Sequence, residues 1–192
     1  MIEAIIFDCF GVLATDGWLP FKRKYFGHDH GLTQRATNLN KKVDAGLASY
    51  DDFITEMAQM AKITPKEALQ AIENNVPNEP LFAYIKELKT TCKIGLLSNA
   101  GANWLNHIFT DEQVALFDAV ALSYETGYIK PRPEAYNAIT ERLGVPSEAC
   151  VFIDDQPSYG QGATELGMHF IVYKDAEQVE RDLRVLLADS KK

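Results

Sequence analysis

Asp8, Ser98, Lys130 and the pair Asp154-Asp155 lie far apart in a chain of 192 residues, yet each closes an apolar run or opens the segment after one. The four segments are Ile5-Ile6-Phe7-Asp8-Cys9-Phe10-Gly11-Val12-Leu13, Gly95-Leu96-Leu97-Ser98-Asn99, Lys130-Pro131-Arg132-Pro133 and Val151-Phe152-Ile153-Asp154-Asp155. Together they supply a carboxylate nucleophile, a hydroxyl with an amide, a cation and an acidic pair, which is the inventory of a phosphoryl-transfer site. A carboxylate at Asp8 can attack phosphorus and split one hard displacement into two easier ones. Alone, a strand-ending Asp reads as a turn cap. Asp154-Asp155 change that balance, because adjacent carboxylates repel unless a cation or donor compensates them. Mg²⁺ held by one or two carboxylates, with water and phosphate completing its shell, suits so sparse an acidic set. Ser98 and Asn99, followed by a turn at Gly101, can cradle phosphate oxygens, although such a pair also makes an ordinary N-cap. Gly11 is expected beside the substrate. Lys130, stiffened by Pro131 and Pro133, can neutralise nucleophile and phosphate together; Arg132 reads as a surface residue.

For these groups to converge, the runs that carry them must be neighbouring strands, since ligands bind beyond the carboxyl ends of an open parallel sheet. Apolar runs at 3–8, 93–98, 118–122, 150–154 and 168–172 read as strands covered on both faces. Helical patterns at Pro80–Lys89, Ala102–Phe109 and Glu134–Leu143 separate them, and Gly144 stands where a C-cap is favoured. A last amphipathic helix begins at Asp175 and ends near Leu187, followed by a frayed Ser190-Lys191-Lys192 tail. Alternation of this kind implies an α/β fold, a doubly wound, Rossmann-like parallel sheet.

Residues 15–79 break the rhythm. They hold no convincing strand and four helical patterns, Trp18–Phe26, Leu32–Ala45, Tyr50–Ala61 and Pro65–Asn75, the last opened by a Thr64-Pro65-Lys66-Glu67 capping box. The expected organisation is a core of residues 1–14 and 80–192 with a small all-helical insert at 15–79. Trp18, Phe21, Tyr25 and Phe26 fall at helical spacing as the core of that insert, and one or two of them can reach a site mouth. His28-Asp29-His30 reads as a polar turn before a metal site.

A net charge of −8 argues against nucleic acid and anionic membrane surfaces as partners. Hydrophobic content of 46% and charged content of 24% are ordinary for a soluble protein, and no apolar run is long enough to span a bilayer. Cys9, Cys92 and Cys150 show no metal-finger spacing and read as buried, reduced thiols. With no basic-then-apolar leader, a cytoplasmic location is expected. Oligomeric state is not legible.

The four segments, in this order, resemble the haloacid dehalogenase superfamily of Asp-nucleophile hydrolases, from Met1 to about Val172. Ser123-Tyr124-Glu125-Thr126-Gly127-Tyr128-Ile129-Lys130-Pro131-Arg132-Pro133-Glu134-Ala135-Tyr136 is similar to the family's third-motif region, and Phe152-Ile153-Asp154-Asp155 to the two-aspartate form of its fourth. The resemblance implies Asp8 as nucleophile, Ser98 on the phosphate and Lys130 as the stabilising lysine. It further implies an Mg²⁺ ligated by Asp8, Asp155 and the main-chain carbonyl of Phe10, with Asp154 in support. Residues 15–79 would be a cap that closes over a small-molecule phosphate ester.

One residue departs from the pattern. Phosphatases of the family carry Asp two positions after the nucleophile as general acid and base, where this chain has Phe10. Such catalysis is worth roughly 10²–10⁴-fold, about 3–5 kcal/mol, so slow hydrolysis with a steep dependence on leaving-group acidity is expected. Tyr159 also departs from the usual Asn or Asp. Three readings stand open: an Mg²⁺-dependent phosphatase, a metal-independent 2-haloacid dehalogenase, and a weakly catalytic phosphometabolite-binding or partner-docking module. Phe10 favours the second, since dehalogenases have an aromatic residue there. Asp154-Asp155 and the want of a clear substrate-binding arginine, with only Arg23 and Arg35 as candidates in the insert, speak against it.

Overall fold

The structure, a computed structural model, describes residues 1–190. Strand β1 (Ala4–Phe7) is followed by helices α1 (Trp18–Phe26), α2 (His30–Asp44), α3 (Tyr50–Ala61), α4 (Pro65–Ile72) and α5 (Glu79–Leu88). Then come β2 (Lys93–Ser98), the short α6 (Leu105–Ile108) and α7 (Asp111–Val114), β3 (Ala119–Leu122), α8 (Ser123–Thr126) and α9 (Pro133–Leu143). The chain ends with β4 (Cys150–Asp154), α10 (Pro157–Glu165), β5 (His169–Val172) and α11 (Ala176–Asp189). All five strands run parallel in the order β3-β2-β1-β4-β5. The doubly wound, Rossmann-like sheet is therefore as the sequence implies.

The near-continuous apolar strands bury both faces. Ile5, Phe7, Ile94, Leu96, Val151 and Ile153 pack on one side with α5 and α11. Ala4, Ile6, Leu97, Ala121 and Phe152 pack on the other with Tyr136 and Ile139 of α9 and Ala163 of α10. At about 1.5–3 kcal/mol for each large aliphatic or aromatic side chain removed from water, these two layers fix the sheet. They also fix register: Ile6 pairs with both Gly95 and Phe152, so the carboxyl ends of β1, β2 and β4 finish side by side.

Helices α1 to α4 form a separate cluster around Phe21, Phe26, Val43, Phe53, Met57 and Ile72, with Trp18 and Tyr25 packed against it. Their ends follow local chemistry: Asp29 and Ser49 cap α2 and α3, and Thr64 with Glu67 makes the capping box of α4. His28 and His30 are exposed around the capping Asp29, a polar turn as expected. The two chain passages joining these helices to the sheet lie together, through a short antiparallel contact of Ala14 with Pro77 and the Thr15 N–H bonding Val76 at 3.0 Å.

Several elements differ from the sequence-based expectation, among them the unexpected single turns α7 and α8. The pattern at 102–109 folds as only one turn, α6, because Thr110 starts a new helix with its own capping box to Gln113. Helix α4 stops at Ile72, and Asn75 instead accepts a hydrogen bond from Gly17 N at 3.0 Å. Helix α10 was hidden by its glycines. A Cβ at Gly160 would lie 2.0 Å from the Phe170 ring and one at Gly162 would lie 2.8 Å from the Pro131 carbonyl. Close packing requires glycine there despite its poor helix propensity, and it seats α10 against the loop that carries Lys130. Ser190 ends α11, and the rest of the expected tail lies outside the described residues.

Candidate active site

Asp8 follows β1 and its N–H donates to the Ile153 carbonyl of β4 at 2.9 Å. Its carboxylate accepts a 2.7 Å bond from Lys130 Nζ, and the same ammonium donates at 2.7 Å to Asp154 Oδ2. Lys130 is only 2% exposed, and its ammonium lies 5.3 Å from the centre of the Phe152 ring and 5.0 Å from that of Tyr159. Tyr159 thus forms one wall of the lysine's niche, where a small polar residue was expected. Asn99 holds the lysine from the backbone side: its Oδ1 accepts from Lys130 N at 2.7 Å and its Nδ2 donates to Lys130 O at 3.2 Å. The amide expected to touch phosphate is thereby committed to positioning the cation. Ser98, 1% exposed at the end of β2, has only a 3.5 Å contact to the Asn99 carbonyl among the described residues, which leaves its hydroxyl to a ligand.

The acidic pair divides its work. Asp154 is fully buried, with Oδ2 on Lys130 and Oδ1 accepting from Gln156 N at 2.7 Å. Asp155 is half-buried and accepts from the Gln156 side chain at 3.2 Å. Carboxylate oxygens of Asp8, Asp154 and Asp155 lie within 4.8 Å of one another. Three carboxylates against one ammonium leave a formal charge of −2, which one divalent cation would cancel. Gly11 makes room beside them. Its φ is +89°, and a Cβ there would come within 3.0 Å of the Asp155 carboxylate. Its N–H is taken by the Ala14 carbonyl at 2.7 Å, so it shapes the loop without offering a donor to substrate, a correction to its expected binding role. Among the described residues nothing donates to the Phe10 carbonyl, which stays free for an ion. These donors are all hard oxygens and fit Mg²⁺. Asp155, Asp8 and the Phe10 carbonyl are the residues that would hold it.

The electrostatics follow from burial. Desolvation pushes the Asp8 carboxyl up from 3.8 to about 7, with Lys130 opposing and the Asp154 charge adding to the rise. For Lys130, burial favours the neutral amine, but Asp8 and Asp154 outweigh it and hold the ammonium above its ordinary value. The lysine therefore stays charged while two carboxylates compete for it, a competition that a second cation would relieve. Burial and the neighbouring Asp154 raise Asp155 as well.

Gly11→Ala tests this arrangement. The left-handed backbone and the new methyl against Asp155 are expected to cost about 1–2 kcal/mol of stability. Mg²⁺ affinity should fall by more than that strain implies, read as the loss of an Mg²⁺-induced rise in melting temperature.

Above these groups, a cavity of about 760 Å³ separates the sheet end from α1–α4. Phe10 lines it and packs edge-on against Trp104 at 4.7 Å, so the position that would carry a proton donor is part of an apolar wall. Trp18, Tyr50 and Phe53 face it from the helical cluster. Among the described residues no arginine lines this cavity: Arg23 and Arg132 are exposed on the surface, and Arg35 pairs with Glu56. Lysines 22 and 41 are its other cations. Asp44, at the C-terminus of α2, also lines it and was not singled out from the sequence, where it is one acid in a polar helix.

Asp8, the Ser98 hydroxyl, Lys130 and the Asp154-Asp155 pair meet at the carboxyl edge of a parallel sheet with β1 at its centre, the arrangement of a hydrolase of the α/β class. The chain belongs to the haloacid dehalogenase-like hydrolase family, whose pattern it matches over residues 2–167. It is 40% identical over 225 positions to Phosphatase MT3486 of Mycobacterium tuberculosis, covering 96% of this chain and 95% of that protein. It is 27% identical over 208 positions to D-ribitol-5-phosphate phosphatase of Bacteroides thetaiotaomicron, covering 97% and 99%. The fold superposes on that organism's HAD family enzyme bt-2542, solved with magnesium and inorganic phosphate, at a TM-score of 0.72 and 23% identity over 91% of this chain and 96% of that one. No helix among the described residues is long and apolar enough to cross a membrane. Cys9, Cys92 and Cys150 are free and buried.

Proposed function

We propose that the chain is an Mg²⁺-dependent phosphatase of a small phosphorylated metabolite, working through an aspartyl-phosphate on Asp8. The observation that carries this reading is the buried Lys130, bound at 2.7 Å to both Asp8 and Asp154, with Asp155 beside them. Asp8 attacks phosphorus, the bond to the leaving oxygen breaks, and water then cleaves the acyl phosphate to regenerate the carboxylate. Ser98 receives phosphoryl oxygens, and Lys130 offsets charge on the nucleophile and the transferring group in a site with little water. Mg²⁺ held by Asp8, Asp155 and the Phe10 carbonyl would supply further charge neutralisation. Asn99 keeps Lys130 in place, and Asp154 orients its ammonium. Residues 15–79 act as the cap over the cavity. The relatives named as phosphatases support the reaction class, and the free thiols support a reducing, cytoplasmic setting.

Phe10 supplies no proton, so turnover of esters with poor leaving groups is expected to be slower than a carboxylate at that position would allow. It also keeps the dehalogenase reading in view. Against that reading, the cavity offers no arginine for a substrate carboxylate among the described residues, and it keeps a metal-suited acidic set. Hydrolysis of p-nitrophenyl phosphate with and without Mg²⁺, run beside halide release from 2-chloropropionate, tests the two. Mg²⁺-dependent nitrophenolate release with no halide is the expected result. Halide release without metal would reverse the assignment.

A further inference from the structure

We propose that Asp44 is the proton donor to the leaving group, doing from the cap what Phe10 cannot do from the core. The inference rests on the phosphatase reading and adds the group which that reading lacks.

Elimination leads to it first. The carboxylates lining the cavity among the described residues are Asp8, Asp16, Asp44, Glu73 and Asp155. Asp8 and Asp155 belong to the nucleophile and the cation site. Asp16 is spent on the start of α1, with Oδ1 accepting from Trp18 N at 2.7 Å and Leu19 N at 3.3 Å. Glu73 is hydrogen-bonded to the Tyr50 hydroxyl. Asp44 is the least committed: only Asn40 Nδ2 donates to its side chain among the described residues, at 2.8 Å to Oδ2.

Its position is fixed by the core, not by the cap alone. The Asp44 carbonyl accepts a hydrogen bond from the Ser123 hydroxyl, which in turn accepts from Ala100 N at 2.9 Å. Ala100 is two residues past Ser98, so the end of α2 is tied to the phosphate-side loop. The preceding Val43 presses on that loop so closely that a Cβ at Gly101 would lie 2.1 Å from Val43 Cγ1. A residue on a cap helix is thus held over the site with the precision of a core residue.

Its environment suits the task. Burial, and after it the nearby Asp16 charge, raise the Asp44 carboxyl to about 7, with Lys130 pulling the other way. Tyr50 of α3 and Tyr159 of α10 also face it, while Lys41 sits beyond it on the same helix at the cavity wall. A general acid works best when it titrates near the operating pH.

The step balances as follows. As Asp8 forms its bond to phosphorus, the bond to the leaving oxygen breaks and that oxygen takes the Asp44 proton. In the second half, Asp44 carboxylate takes a proton from water as the water oxygen bonds phosphorus and the bond to Asp8 breaks. Inorganic phosphate leaves, and both carboxyl groups return to their starting states.

The test is a leaving-group series of aryl phosphates, from p-nitrophenyl to p-methoxyphenyl, with Mg²⁺, for the unsubstituted chain, Asp44→Asn and Asp8→Asn. Asparagine is isosteric and removes a charge that burial penalises, so the variant should fold; its melting temperature is measured alongside. In Asp44→Asn, kcat/KM for the p-methoxyphenyl ester is expected to fall about 10²-fold or more. For the p-nitrophenyl ester, whose leaving group scarcely needs a proton, the fall should be under about tenfold. The unsubstituted chain should lose kcat/KM on the p-methoxyphenyl ester as pH rises through about 7, and Asp44→Asn should lack that limb. An equal loss on both esters, or none on either, overturns the role of Asp44 while leaving the phosphatase reading intact. Absence of Asp8-dependent turnover in the unsubstituted chain overturns both.

Discussion

Asp8→Asn is expected to abolish the proposed Mg²⁺-dependent hydrolysis of p-nitrophenyl phosphate, by on the order of 10⁴-fold or more, because the proposed covalent intermediate forms on that carboxylate. The side chain keeps its shape, so the fold should survive. The carboxylate it replaces is raised to about 7 by burial, against an ordinary 3.8. A raised acid binds its proton more tightly in the folded state, so the metal-free native chain loses stability as pH rises between those two values. In the variant this component of the slope disappears, and its metal-free melting temperature varies less from about pH 4 to 7. The Mg²⁺-induced rise in melting temperature should shrink at the same time, since a ligand that binds only the native state stabilises it through its affinity. Loss of activity with an unchanged metal shift would keep Asp8 as nucleophile but remove it from the cation site.

Lys130→Met carries the second large effect, and here stability and activity fall together. The lysine side chain is 1% exposed and joins Asp8 to Asp154, so its removal leaves two carboxylates in a niche built for their partner. Breaking a buried pair in this way costs about 3–5 kcal/mol. Sign fixes the pH dependence. Asp8 and Asp154 hold Lys130 above its ordinary 10.5, so its contribution is complete throughout the neutral range and is lost only at high alkaline pH. In the variant, Asp8 loses its opposing charge and is driven further up, so protonation relieves the strain. The stability deficit, read by urea unfolding, should therefore be larger at pH 7 than at pH 5. Arginine is not expected to rescue either property, because the guanidinium fork does not fit between the Phe152 and Tyr159 rings and the two carboxylates. A deficit independent of pH would mean that lost packing, not unpaired charge, dominates.

Much of the molecule can be read without its coordinates. Apolar runs of four to six residues, alternating with helical patterns, read as strands of a sheet buried on both faces, which places Asp8, Ser98 and Asp154 at its carboxyl edge. The order of the motifs then brings Lys130 to the same place. The helix start at Thr64 is equally legible, because capping is a local exchange between a side chain and an N–H two or three residues on.

What the sequence could not carry depends on partners distant along the chain. Helix α10 contains two glycines whose need arises only from Phe170 and Pro131 packed against them. Asn99 reads as a phosphate ligand until Lys130, 31 residues away, occupies both ends of its amide. Gly11 reads as a residue beside the substrate until its N–H is seen bonded to the Ala14 carbonyl. Asp44 is one acid among 27 acidic residues in the sequence. Its place over the site is set by Ser123, 79 residues further on, and by a methyl of Val43 against Gly101. Local periodicity and residue type determine which strands and helices form, because those choices are settled by short-range hydrogen bonding and by which faces must leave water. Which carboxylate is spent on a backbone N–H, which is bound to the lysine and which is left least committed is decided only when helices α1–α4 pack over the sheet end, since burial and neighbouring charge exist only there.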